Sequence, residues 1–109
     1  MSEKPADTVC VQDLERLLEE GGAVTLIDAR TAEEFTEGHV PGAINIPIPD
    51  LVEFARSRDN VPDSLIVTMC GSAGRGQKAA AILDAQGVSG VMVLEGGLKA
   101  WRDAGLPVA

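Results

Sequence analysis

Apolar residues fall along the chain in short blocks separated by turn-forming residues, and two periods alternate. Val11, Leu14, Leu17 and Leu18 recur at helical spacing and stop at Gly21-Gly22, which predicts an amphipathic helix after a short extended start around Val9. Val24-Thr25-Leu26-Ile27 is almost continuously apolar, the signature of a strand buried on both faces. Thr31 with Glu34 three positions later is a capping-box pattern, opening a short helix through Phe35 that Gly38 ends. A His39-Val40-Pro41-Gly42 turn leads to a second strand, Ala43 to Ile46, stopped by Pro47.

The same alternation continues downstream. Pro49-Asp50 opens a small helix carrying Leu51, Phe54 and Ala55, and Val61-Pro62-Asp63 supplies a turn. Leu65 to Met69 is the next buried strand and delivers Cys70. A helix from Arg75 or Gly76 to Gly87 places Ala79, Ile82 and Leu83 on one face, with alanines that permit close approach to a sheet. Val91 to Leu94 forms the last strand, Glu95-Gly96-Gly97 a turn, and Leu98 with Trp101 anchors a final helix ended by Gly105 and Pro107. Strands alternating with helices call for a parallel sheet covered on both faces, in one domain spanning residues 1–109.

Charge narrows the partners. A formal net charge of −8 with scattered Lys and Arg argues against nucleic acid or an anionic membrane as partner. No apolar run approaches a membrane span, and the polar start, Met1 to Asp7, lacks the apolar core of a secretory signal, so a cytoplasmic address is expected. The two cysteines, Cys10 and Cys70, are expected to be free thiols.

The chemistry concentrates in Met69-Cys70-Gly71-Ser72-Ala73-Gly74-Arg75-Gly76. A cysteine at the carboxyl end of a strand, followed by a glycine-rich turn into a helix, stands where open α/β sheets bind ligands. Small residues let the backbone turn its N–H groups toward one point, and the helix start adds its positive dipole end. A free cysteine titrates near 8.5, so only about 3% is thiolate at pH 7. Converging N–H groups and Arg75 favour the anion, which makes Cys70 the candidate nucleophile. Cys10, near a helix start, is the rival; without a glycine loop or adjoining cation it reads as a small half-buried residue.

The loop CGSAGR, the upstream segment from Leu26 to Pro47 (LIDARTAEEFTEGHVPGAINIP) and the terminal segment from Val93 to Val108 (VLEGGLKAWRDAGLPV) together resemble a single-domain rhodanese. That resemblance implies a rhodanese-like α/β fold, with a central parallel sheet of about five strands and helices on both faces. It implies sulfur transfer through a persulfide on Cys70, with the backbone of Gly71, Ser72, Ala73, Gly74 and Arg75 as the substrate cradle and Arg75 closing it. It makes Asp28 and Arg30 supports of the loop, and His39 a structural hydrogen-bonding residue rather than a base. No metal or organic cofactor is implied. The expected partners are a small sulfur-containing anion or persulfide donor and a thiol or protein sulfur acceptor.

Four residues separate Cys70 from Arg75, one fewer than in the related cysteine phosphatases and some arsenate reductases that share this loop architecture, which favours sulfur over phosphate or arsenate. Ala73 and Gly76 stand where many members have Gly and Ser. A non-catalytic partner-binding or redox-sensing module is the alternative; such modules have often lost the cysteine that this chain retains. Thiosulfate is a dianion meeting an acidic protein, so modest affinity for it is expected, and a low-micromolar KM would contradict that. Glu95-Gly96-Gly97 is expected to pass near the loop, and Trp101 to anchor the core.

Overall fold

The computed structural model describes residues 7–57, 64–71 and 74–109. The turn at Val61-Pro62-Asp63 and the loop residues Ser72 and Ala73 lie outside these. Five strands form one parallel sheet: β1 (Asp7–Val9), β2 (Val24–Asp28), β3 (Ile44–Asn45), β4 (Leu65–Met69) and β5 (Met92–Leu94), in the spatial order β1-β5-β4-β2-β3. Four helices connect them, α1 (Val11–Glu19), α2 (Ala32–Glu37), α3 (Leu51–Arg56, entered through a 3-10 turn at Ile48–Asp50) and α4 (Arg75–Ala85), and α5 (Gly97–Asp103) follows β5.

Each face of the sheet carries its own core, as a sheet with helices on both sides requires. On one face Val11 and Leu14 of α1 and Leu98 and Trp101 of α5 pack against Leu26, Val67, Met69 and Leu94. On the other, Leu51 and Ala55 of α3 and Ala79, Ala80 and Leu83 of α4 pack against Ile27, Ile66 and Val93. Successive residues of β4 therefore serve alternate faces, and its last four residues are all buried. This is why a run without polar alternation belongs at the centre of a parallel sheet.

Local signals account for most boundaries. Thr31 and Glu34 form both arms of the capping box, Glu34 N–H donating to Thr31 Oγ1 (3.2 Å) and Thr31 N–H to Glu34 Oε1 (3.1 Å). Gly21, at φ 72°, ends α1, and Gly22 N–H returns to Leu17 O at 2.9 Å. The strand expected over Ala43 to Ile46 is shorter, because Ala43 N–H is spent on the Val40 carbonyl in the turn. Ile46 N–H still reaches Asp28 O (3.0 Å), and Pro47 has no N–H to extend the ladder. His39 is structural in its surroundings: its ring stacks on Phe35 and Nδ1 sits 2.9 Å from Phe35 O. Its N–H and C=O pair with Ala109 of the C-terminal tail, and Trp101 Nε1 donates to Pro107 O (2.8 Å).

Candidate functional site

The middle strand of the sheet, β4, ends at Met69 and carries Cys70 out at its carboxyl end, beside Asp28 of β2. Cys70 is buried, with 3% of its surface exposed. Its backbone is clamped from the other side by α5: Leu98 N–H donates to Cys70 O and Lys99 N–H to Gly71 O, both at 2.8 Å. That approach depends on Gly97. At φ 59° it occupies a region L side chains rarely adopt, and a Cβ there would run into the Cys70 carbonyl oxygen. The Glu95-Gly96-Gly97 turn thus lies against the loop, as its glycines predict.

Asp28 and Arg30 form a buried ion pair on the β2 side. Arg30 Nε and Nη2 fork onto the Asp28 carboxylate at 3.0 and 2.8 Å, and Nη2 also donates to Gly38 O at 2.7 Å. The Asp28 side chain is fully enclosed and Arg30 is 6% exposed. Ala29 N–H donates to Met69 O (2.9 Å), and Asn45 Nδ2 spans the carbonyls of Asp28 and Arg30. The Arg30 stem runs beneath Gly71, its Cδ lying 4.0 Å from the point a Gly71 Cβ would occupy. The two charges are spent on each other.

On the far side of the loop, Gly74 takes φ 90° and Arg75 opens α4. Thr68, the one polar side chain of β4's buried run, donates from Oγ1 to Gly76 O at 2.7 Å and ties the strand to the first turn of that helix. Gly76 has a packing reason: a Cβ there would lie 3.2 Å from Met69 Cα and 3.3 Å from Val93 Cγ1. Gly76 therefore lets α4 come close to the sheet just behind Cys70.

The Arg75 side chain is paired. Its Nη1 and Nη2 fork onto Glu34 Oε1 and Oε2 at 2.6 and 3.0 Å. Glu34 Oε1 also accepts from the N–H and Oγ1 of Thr31. Hydrogen bonding to Arg75 first, and to the Thr31 N–H next, holds the Glu34 carboxyl down at about 2 from an ordinary 4.5. The same bond, followed by the nearby charges of Glu34, Cys70 and Asp28, raises Arg75 against the opposing effect of partial burial. Glu34 was legible only as a helix signal, because its other role needs a partner 41 positions away.

A small cavity of about 80 Å³ opens beside Cys70, lined among others by Gly74, Gly76, Gln77, Glu95 and Gly96. Cys10, half-buried at the start of α1, makes no side-chain capping bond and does not line it. Among the described residues, no group of three or more His, Cys, Asp or Glu side chains is placed to hold a metal ion.

A parallel α/β sheet whose central strand ends in a buried cysteine, followed by a glycine turn into a helix, defines the class of this domain. The chain belongs to the rhodanese family: the Rhodanese-like domain matches residues 11–104. It is 40% identical over 92 residues to the chloroplastic thiosulfate sulfurtransferase 16 of Arabidopsis thaliana, covering 74% of this chain and 76% of that protein. It is also 40% identical over 109 residues to an HTH-type transcriptional regulator of Mycobacterium tuberculosis; that match covers 95% of this chain but only 45% of the regulator. Among solved structures, the Rhodanese-like domain of an Anabaena protein superposes with a TM-score of 0.84 at 30% identity, covering 98% of this chain and 80% of that one.

Proposed function

We propose that the chain is a cytoplasmic sulfurtransferase that carries sulfane sulfur as a persulfide on Cys70. The observation that carries this reading is the position of Cys70: at the carboxyl end of the central strand, against a small cavity, with its own carbonyl and that of Gly71 tied back to α5. Those two carbonyls are engaged by N–H groups of α5, which lessens their repulsion of an anion at Cys70.

In the first half-reaction the Cys70 thiolate attacks the outer sulfur of thiosulfate. The S–S bond of the donor breaks, sulfite leaves with its electron pair, and Cys70 becomes Cys–S–S⁻. With a persulfide donor, R–S–S⁻, the leaving group is the thiolate R–S⁻. In the second half-reaction cyanide or a thiolate attacks the outer sulfur of the Cys70 persulfide, and the Cys70 thiolate is released. Both steps move an electron pair with a good leaving group, so neither needs a general base once the thiol is ionised. Asp28 and Arg30 act here as supports of the loop backbone, and Gly71 through Arg75 as the cradle.

Intact-mass analysis after incubation with thiosulfate or a persulfide donor tests the reading. One added sulfur atom is expected on the native chain and on Cys10→Ser, and none on Cys70→Ser. No added sulfur from either donor would refute it.

A second reading, a persulfide- or redox-sensing module, draws on the similarity to the transcriptional regulator. Turnover separates the two: a sensor loads Cys70 once, whereas a transferase regenerates it repeatedly with cyanide or a thiol. Phosphatase or arsenate reductase chemistry ranks behind both because of the short spacing from Cys70 to Arg75.

A further inference from the structure

Three cations around the loop are matched in pairs, whereas Lys78, one turn into α4, has no ion pair among the described residues. Arg30 is taken up by Asp28, and Arg75 by Glu34. Lys99, which follows the α5 start, is paired with Asp103. Glu95 lines the cavity and has no ion pair among the described residues. The cavity beside Cys70 therefore has an acidic side chain in its lining, and the arginine between two lining residues, Gly74 and Gly76, is already neutralised by Glu34.

The Glu34–Arg75 fork is of the kind that can be exchanged. Both side chains are partly exposed, at 37% and 41%, so the pair adds little net stability and competes with any other oxyanion for the same N–H donors. Glu34 is itself anchored, since Thr31 donates to it twice. The carboxylate stays in place, and Arg75 is the movable member.

We propose that Glu34 is a positioning residue that acts through Arg75 to set donor choice, holding the guanidinium off the sulfur site and so selecting low-charge persulfides of small thiols over the thiosulfate dianion. This rests on the sulfur-transfer reading above. Attack on thiosulfate brings three negative charges together, the thiolate and the dianion, and sulfite must leave with two of them. Attack on the persulfide of a small aminothiol such as cysteine brings together a thiolate and a donor of net charge −1. The first reaction needs a free cation at the loop, whereas the second proceeds without one.

The test is a cycle with two donors, thiosulfate and cysteine persulfide generated in situ, with cyanide as acceptor. Glu34→Gln keeps the size and hydrogen-bonding reach of the side chain and removes its charge. The KM for thiosulfate is expected to fall about threefold or more with kcat little changed, while the KM for cysteine persulfide moves less than about twofold. In an Arg75→Gln background the same change is expected to have no effect on the thiosulfate KM, because Glu34 then has nothing to act through. Glu34→Ala gives the same ordering and serves if Glu34→Gln fails to fold. An unchanged or higher thiosulfate KM, a parallel shift for both donors, or an equal fall in the Arg75→Gln background would each overturn the proposal. If the native chain takes sulfur from neither donor by intact mass, the sulfur-transfer reading falls first, a result distinct from any shift in the KM ratio.

Discussion

Replacing Arg30 by Met isolates the role of the buried pair beneath the loop. Methionine keeps an unbranched apolar stem, so the packing under Gly71 survives, but the fork onto Asp28 and the bond to Gly38 O are lost. Asp28 is fully enclosed, and among the described residues its side chain keeps only the Arg30 backbone N–H at 3.0 Å. Stranding one partner of a buried ion pair costs about 3–5 kcal/mol. That is a large share of the ~5–15 kcal/mol by which domains of this kind are stable. With a urea dependence of about 2 kcal/mol per molar, the unfolding midpoint should fall by roughly 2 M. Trp101, the only tryptophan and 4% exposed, reports the transition by fluorescence. Adding Asp28→Asn should recover about 1–3 kcal/mol, because the stranded charge goes with it. A loss below about 1 kcal/mol for Arg30→Met, or a double variant equal to the sum of the singles, would refute the view that these residues stabilise the loop as one charge-paired unit.

Three further perturbations probe other parts of the site. Gly97→Ala should cost more than about 2 kcal/mol and abolish sulfur loading, since its Cβ meets the Cys70 carbonyl, whereas Gly42→Ala, at φ 87° in open space, should cost only about 1 kcal/mol and leave loading intact; chemical denaturation and intact mass read both. Glu34 should titrate at about 2 by carbon NMR of its carboxyl, and Arg75→Ala should move that midpoint up toward 4.5. Its pKa is lower folded than unfolded, so the pairing contributes above pH 4.5 and is lost as pH falls toward 2, the reverse of a histidine or lysine pair. Trp101→Phe should cost about 1 kcal/mol by loss of the bond to Pro107 O and should speed proteolytic clipping of residues 106–109, followed by mass spectrometry.

Features written within a few neighbouring residues could be read from the chain. The Thr31–Glu34 box, the Gly21 stop and the unbroken apolar run of β4 each lie within one turn or one strand, so local chemistry decided them. Asp28 and Arg30 could be placed beside Cys70 because both sit at strand ends of one parallel sheet, although the fork between them could not. What stayed hidden depends on contacts between distant segments. Glu34 meets Arg75, Thr68 reaches Gly76 O, and Gly76 abuts Met69 only once α2, β4 and α4 are packed. Gly76 read only as a departure from the family's Ser, because sequence shows what a side chain lacks, not the backbone that would have met it.

The place of β1 in the sheet has a consequence for how the chain comes together in time. Among the described residues, Asp7 to Val9 form ladder partners only with Met92 to Leu94, so β1 is completed by β5, the last strand of the sheet in chain order. During synthesis β2 and β4 can pair while β5 is still inside the ribosome, and β1 must wait. Closing so long a loop is entropically late, and topologies with such distant pairings fold slowly. The slowest folding phase should therefore be the docking of β1 and α1 onto β5. Until then β5 has an open flank, and the Glu95-Gly96-Gly97 turn lacks the bond from Glu95 N–H to Val9 O that anchors it. The backbone clamp on Cys70 is thus completed at the end of folding, and the thiol acquires its final surroundings only when the whole chain is in place.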